Sequence, residues 1–185
     1  ILFCDLRSFT SYAETTPPEE VIFFLNAYFS KMVEIVTHYD GTVNKFMGDA
    51  ILAIYPFHEN TNAVENAVQT AWSILDHARS LRLGEESWLD LGVGIHSGRA
   101  IAGTIGSEDR YDYTFIGDPV NTASRLEGLT KRLGFRLIVS DEAYSQLSPG
   151  AQDRFEDLGE HRVRGKAEPI HVRGAAPKDG QELQD

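Results

Sequence analysis

The sequence predicts an α+β fold, a ferredoxin-like βαββαβ sandwich with C-terminal additions. Three observations predict it. Segments with strand-like apolar runs and segments with apolar residues at three- and four-residue spacing follow one another in the order β-α-β-β-α-β. Two of the strand-like runs flank the short turn Met47-Gly48-Asp49, as a central hairpin requires. The 185 residues, 42% of them hydrophobic, suit one domain with a substantial core.

The elements follow in order. Residues 1–5, Ile1-Leu2-Phe3-Cys4-Asp5, read as a buried strand. Thr16-Pro17-Pro18-Glu19-Glu20 reads as a helix start, with a Thr cap, proline in the first turn and acids near the positive dipole end. Val21, Phe24, Leu25, Tyr28, Met32, Ile35 and Val36 continue that helix, and Asp40-Gly41 ends it. Residues 42–46 and 50–55 are the hairpin strands, closed by Pro56. Residues 62–81 form a second helix with Val64, Ala67, Val68, Ala71, Ile74, Leu75 and Ala78 inward. Residues 89–95 are a strand, and residues 100–106 are expected to pair beside it. Residues 107–113 are polar and hairpin-like. Gly117-Asp118-Pro119 opens a third helix over 120–133. A strand over 136–140, a short helix over 141–147 and a closing hairpin from 154–164 and 169–173 complete the domain. The domain is expected to span 1–174, with 175–185 a polar, flexible tail.

The formal net charge of −11 argues against nonspecific nucleic-acid binding, which relies on basic surface. It leaves a nucleotide substrate open, because a few cations in one cleft outweigh the global sign locally. No apolar run approaches a membrane span and no signal peptide opens the sequence. Ile1 reads as mid-strand. The sequence is therefore expected to be a domain of a longer protein with its first strand truncated, and any upstream sensor, regulatory or membrane segment outside it. The single cysteine, Cys4, excludes a disulfide framework and points to a reducing compartment, hence the cytoplasmic side. It reads as a small core residue. His38, His58, His77, His96, His161 and His171 lack ligand spacing, so no zinc site is expected. Trp72 and Trp88 read as packing residues.

Two aspartates carry the first chemical signal. Asp5 ends the first strand and Asp49 sits in the hairpin turn. In a ferredoxin-like sheet the first strand lies beside the hairpin, which brings both carboxylates to one edge. Two carboxylates at adjacent strand ends are what a two-metal site for phosphoryl chemistry needs.

Longer motifs surround them. Phe3-Cys4-Asp5-Leu6-Arg7-Ser8-Phe9-Thr10, Asn44-Lys45-Phe46-Met47-Gly48-Asp49-Ala50 and Tyr113-Thr114-Phe115-Ile116-Gly117-Asp118-Pro119-Val120-Asn121-Thr122-Ala123-Ser124-Arg125-Leu126-Glu127 closely resemble the class III nucleotidyl cyclases. Ile95-His96-Ser97-Gly98 and Gly103-Thr104-Ile105-Gly106-Ser107 are similar too, so the resemblance runs in order over residues 1–173. It implies the class III cyclase architecture. It also implies a reaction: attack of a nucleoside triphosphate's 3′-hydroxyl on its own α-phosphorus, giving a 3′,5′-cyclic nucleotide and pyrophosphate. The active sites would lie at the interface of a head-to-tail homodimer.

The resemblance also implies residue roles. Asp5, Asp49 and the Leu6 carbonyl would bind two divalent cations, and oxygen ligands suit Mg²⁺ or Mn²⁺. Backbone amides in Arg7, Ser8, Phe9 and Thr10 would cradle phosphate. Asn121 would orient the ribose and Arg125 would stabilise charge on the pentavalent phosphorus, both from the opposite subunit. Four residues apart on a helix, they share a face. Arg164 and Lys166 resemble the family's basic contribution to the polyphosphate, although the family commonly has Lys at the position of Arg164. Arg110, Tyr111 and Asp112 lie where the family often makes dimer contacts.

Lys45 and Thr114 resemble the base-reading pair. An ammonium only donates, and adenine N1 accepts where guanine N1 carries a hydrogen. Thr114 can accept from the adenine 6-amino group. The pair therefore indicates ATP and an adenylyl cyclase. Some family members with this Lys/Thr pair respond to bicarbonate, and such a response is an expectation here. One alternative is a guanylyl cyclase, against which Lys45 argues. Another is a cyclase-like regulatory or dimerisation module, which loss of an aspartate or of Arg125 would favour; neither is lost. A diguanylate cyclase would need its own signature, and Met47-Gly48-Asp49 is not a Gly-Gly-acid-acid-Phe turn.

Overall fold

The computed structural model describes residues 1–57, 62–83, 87–107 and 109–177. The chain forms β1 (Leu2–Leu6), α1 (Phe9–Thr15), α2 (Pro18–His38), β2 (Thr42–Met47), β3 (Ala50–Ile54) and α3 (Ala63–Ala78). The short strands β4 (Arg82–Leu83) and β5 (Ser87–Trp88) precede β6 (Leu91–Ile95), β7 (Ile101–Ser107) and β8 (Arg110–Ile116). Then come α4 (Asp118–Leu133), β9 (Phe135–Ser140), α5 (Asp141–Tyr144), α6 (Pro149–Gln152), β10 (Glu156–His161) and β11 (Ile170–Pro177).

One seven-stranded sheet runs β10-β11-β9-β6-β1-β3-β2. Its β6-β1-β3-β2 half is the expected ferredoxin-like arrangement, with β1 antiparallel to both β3 and β6. The additions extend it through β9, which pairs parallel to β6.

Side-chain alternation along β1 sorts the two faces. Leu2, Cys4 and Leu6 pack with Tyr28, Met32 and Val36 of α2 and with Ala67, Ala71 and Ile74 of α3. Phe3 and Asp5 point to the other face, opposite Gly94 and Gly92 of β6. There α4 lies, packing Leu126 and Leu129 on Ile138 and Val172. Helices α2 and α3 therefore cover one face of the sheet and α4 covers the second. β3 is buried along its whole length, which accounts for its unbroken apolar run.

The close approach of α4 depends on glycine. A Cβ on Gly92 would overlap Glu127 Oε1 and Thr130 Oγ1 and lie 2.9 Å from Arg7 Nη2. Those are side-chain ends, whereas a Cβ on Gly94 would overlap the α4 backbone itself, at the Ala123 carbonyl and the Glu127 amide. Gly94→Ala should therefore cost about 1–3 kcal/mol, as overpacking does, and lower the melting temperature. An unchanged melting temperature would show that α4 can move away freely.

Several local expectations need correction. Residues 101–107 do not join β6. They pair with β8, Ile101 opposite Ile116 and Ser107 opposite Arg110, because β1 and β9 already occupy both sides of β6. Helix α1 was not foreseen: at seven residues it is too short to show a periodic stripe, and it buries no residue fully. Thr16 does not cap α2. It is extended, as the residue before a proline tends to be, and Pro17 takes the cap position without a side-chain bond. Residues 175–177 are strand rather than tail, Ala175 pairing with Leu137. Residues 178–185, His58 and the Trp88 side chain lie outside the described residues.

Cys4 is a core residue as expected. Burial pushes its thiol up to about 12, and its Sγ lies 3.7 Å from the Tyr28 hydroxyl. No helix among the described residues is long and apolar enough to cross a membrane.

Candidate active site

The two aspartates meet. β1 pairs with β3 up to Cys4 opposite Ile51, so Asp5 stands beside the turn between Met47 and Ala50. That turn holds Gly48 at φ 63, a left-handed conformation glycine adopts without strain, and delivers Asp49 to Asp5. The two carboxyls lie close enough for each to act on the other's charge. Burial, and then the Asp49 charge, push the Asp5 carboxyl up to about 6. A divalent cation would relieve that repulsion, so the pair fits one. Among the described residues no group of three or more His, Cys, Asp or Glu is arranged to hold a metal. The donors the structure brings together are two carboxylates, and the resemblance would add the neighbouring Leu6 carbonyl. Such a set leaves sites for water and phosphate oxygens, which is how Mg²⁺ is commonly bound.

The turn after Asp5 differs from expectation at one residue. Ser8 adopts φ 60, and Phe9 and Thr10 open α1, so their amides have no acceptor within the helix. The Arg7 amide instead donates to the Asp90 carbonyl at 2.9 Å. Its side chain turns inward to Thr130 and Asp90. Arg7 is therefore not available to a phosphate, and of the four expected amides those of Ser8, Phe9 and Thr10 remain candidates.

Lys45 and Thr114 come together where β2 meets β8. Lys45 Nζ donates to Asp112 at 2.9 Å, and the Thr114 hydroxyl faces Asn44 at 3.5 Å. Asn44 also donates to the Tyr113 carbonyl at 3.3 Å.

Helix α4 runs antiparallel to β6. Pro119 near its start would meet a Cβ on Gly98 beyond the end of β6, while Glu127 and Thr130 stand over Gly92. Gly92 is the cross-strand partner of Asp5. Asn121 is therefore about 9 Å along the helix from the residue nearest Asp5. Arg125 extends to the turn after Val163, its Nη2 lying 2.9 Å from where a Gly165 Cβ would be. Its Nη1 is buried with no hydrogen-bond partner among the described residues. Arg164 in the same turn is exposed. Lys166 is bound to Asp118 at the start of α4, which holds the Asp118 carboxyl below its usual range. Lys166 thus braces α4 in this structure instead of standing free.

One residue of the site went unread in the sequence. Glu127, half-buried under α4, is pushed up to about 7, by burial first and then by Asp5. The available signal was its position: it falls in the sheet-facing stripe with Ala123, Leu126 and Thr130, where an acid is out of place.

Comparisons with known proteins agree with this geometry. Residues 1–173 match the family model for the adenylate and guanylate cyclase catalytic domain. An adenylate cyclase of Anabaena cylindrica is 35% identical over 177 residues, covering 93% of this chain and 35% of that protein. Adenylate cyclase 1 of Rhizobium meliloti is 30% identical, covering 92% of this chain and 26% of that protein. The chain thus spans about a third of the length of the curated relatives it matches. Among solved structures, the adenylyl cyclase CyaB from P. aeruginosa superposes with a TM-score of 0.81 at 28% identity, covering 99% of this chain and 95% of that one. A bacterial light-regulated adenylyl cyclase gives a TM-score of 0.82 at 31% identity, covering 96% of this chain and 52% of that one. A fold shared with solved cyclase domains and a family match running from the first strand to β11 lead to one conclusion: this chain belongs to the adenylate and guanylate cyclase catalytic domain family.

Proposed function

We propose that the domain converts ATP to 3′,5′-cyclic AMP and pyrophosphate in a head-to-tail homodimer. The contact of Asp5 with Asp49, distant from Asn121 on the same chain, carries the reading. With Asn121 about 9 Å along α4 from the acid pair and Arg125 directed to the Gly165 turn, a complete set forms only when a second copy supplies its Asn121/Arg125 half.

In each shared site the ribose 3′-hydroxyl releases its proton to solvent, its oxygen bonds to the α-phosphorus, the bond to the β-phosphate bridging oxygen breaks, and pyrophosphate leaves. Divalent ions held by Asp5, Asp49 and the Leu6 carbonyl would acidify the 3′-hydroxyl and offset phosphate charge. The amides of Ser8, Phe9 and Thr10 would orient the phosphates. Asn121 of one protomer holds the ribose, and Arg125 donates to the oxygens of the pentavalent phosphorus. Arg164 stands exposed on the neighbouring turn, where it can meet the polyphosphate. Exposed apolar side chains support self-association: Phe23 on α2 is 78% exposed and Ile101 on β7 is 77% exposed.

Lys45 and Thr114 read the base. Asp112 orients the Lys45 ammonium and leaves it further N–H groups to donate to adenine N1. Lys45→Glu should lower kcat/KM for ATP at least about tenfold and raise the relative use of GTP, because a carboxylate accepts from guanine N1–H. Measuring cyclic AMP and cyclic GMP formation from both nucleotides by wild type and variant tests the reading. Cyclic GMP as the main wild-type product would overturn it.

A further inference from the structure

A polar cluster lies between α4 and β6, outside the groups proposed to touch the nucleotide. Glu127, Thr130 and Arg7 converge on the space above Gly92. The Arg7 guanidinium, its side chain 10% exposed, donates to the Thr130 hydroxyl. Thr130 in turn donates to the main-chain carbonyl of Glu127, and the Glu127 carboxyl lies beside its hydroxyl over Gly92. Arg7 Nε lies 3.6 Å from the Asp90 carboxylate, which accepts from Arg136 at 3.1 Å.

Buried charges of this kind are weak stability devices, since apolar residues of similar volume serve as well or better. Their placement points to positioning instead. Arg7 belongs to the turn immediately after Asp5. Glu127 is two residues beyond Arg125, about 3 Å further along the same helix. The cluster therefore ties together two parts of one chain that serve different sites of the dimer: the aspartate turn of one site and the Asn121/Arg125 face of the other.

We propose that the Arg7–Thr130–Glu127 cluster is a positioning strut that couples the two active sites of the dimer. It rests on the shared-site cyclase reading given above. Neither Arg7 nor Glu127 touches substrate. The strut sets the distance between the Asp5 turn and α4, so displacement at one site is felt at the other.

The test uses mixed dimers with one intact site. A protomer carrying Asp49→Asn supplies only the Asn121/Arg125 face to that site, and a protomer carrying Arg125→Ala supplies only the aspartates. Glu127→Gln is placed in one protomer or in the other. The strut predicts a fall in kcat of about tenfold or more from either placement, as small misplacements of reacting groups cause. KM for ATP should stay within about twofold. Loss from one placement only, or from neither, overturns the proposal, because a role local to one half cannot act from both. A merely structural role would lower the melting temperature and leave the rate per folded dimer unchanged. Should Glu127→Gln not fold, Glu127→Asp, which keeps the charge but shortens its reach, gives the same two-placement reading. The mixed dimer without a change at Glu127 is the control. Inactivity there, with wild type active, contradicts the shared site; inactive wild type contradicts the cyclase reading.

Discussion

Asp49→Asn should reduce cyclic nucleotide formation by about a thousandfold or more, since charge stabilisation by bound cations is worth several kcal/mol. The same substitution should make the cation-free protein more stable. Asp5 and Asp49 are in contact, and together with burial the Asp49 charge raises the Asp5 carboxyl from 3.8 to about 6. In the unfolded chain Asp5 releases its proton at lower pH. Between those two values the folded state therefore binds more protons, and stability from this group falls as pH rises. Asparagine keeps the shape and removes the repelling charge. In chelator at pH 7.5 the variant should melt higher than wild type, by about 2–4 °C per kcal/mol relieved. The gain should shrink as pH falls through about 6, where wild-type Asp5 takes up a proton. Thermal melts at both pH values check this. A lower melting temperature at pH 7.5 would mean that Asp49 is held by the fold and not strained for a ligand.

Arg125→Ala should lower kcat about 10²- to 10³-fold, the size of effect seen when a donor to developing oxyanion charge is removed. The guanidinium is positioned before any ligand arrives. It is wedged against the Gly165 turn, with Nη1 buried and unpartnered among the described residues. The Lys166–Asp118 bond closes that turn onto the start of α4. A donor held this way needs little reorganisation in the transition state. KM for ATP should change little, because the proposed contact strengthens only as charge develops. A large rise in KM with unchanged kcat would make Arg125 a ground-state phosphate ligand instead.

The main plan of the fold was readable because its signals are local. The hairpin turn, the helical stripes of α2 and α3 and the apolar run of β3 all follow from residue spacing. From that plan the meeting of Asp5 and Asp49 follows, since β1 must lie beside the hairpin. Partner choice was less readable. Residues 101–107 look like any strand, and only the prior occupation of β6 by β1 and β9 sends them to β8. Side-chain direction was hidden as well. Arg7 sits in a phosphate-cradle motif, yet the Asp90 carbonyl takes its amide and Thr130 its guanidinium. The resemblance implies that Lys45 reads the base and Lys166 meets the polyphosphate, but not that each has a carboxylate partner, Asp112 and Asp118. Glu127 is the clearest omission. Its neighbours Asp5 and Arg7 are far away in sequence, and only the packing of α4 over glycine brings them together.

The central claim is that one reaction centre is built from two copies of this chain. The most direct measurement mixes Asp49→Asn and Arg125→Ala proteins in equal amounts and follows cyclic AMP from ATP. Random pairing makes half of the dimers mixed, each with one intact site of two, so activity should recover to about a quarter of wild type. A mixture no more active than the two variants measured separately, at concentrations where mixed dimers are confirmed, would contradict the account.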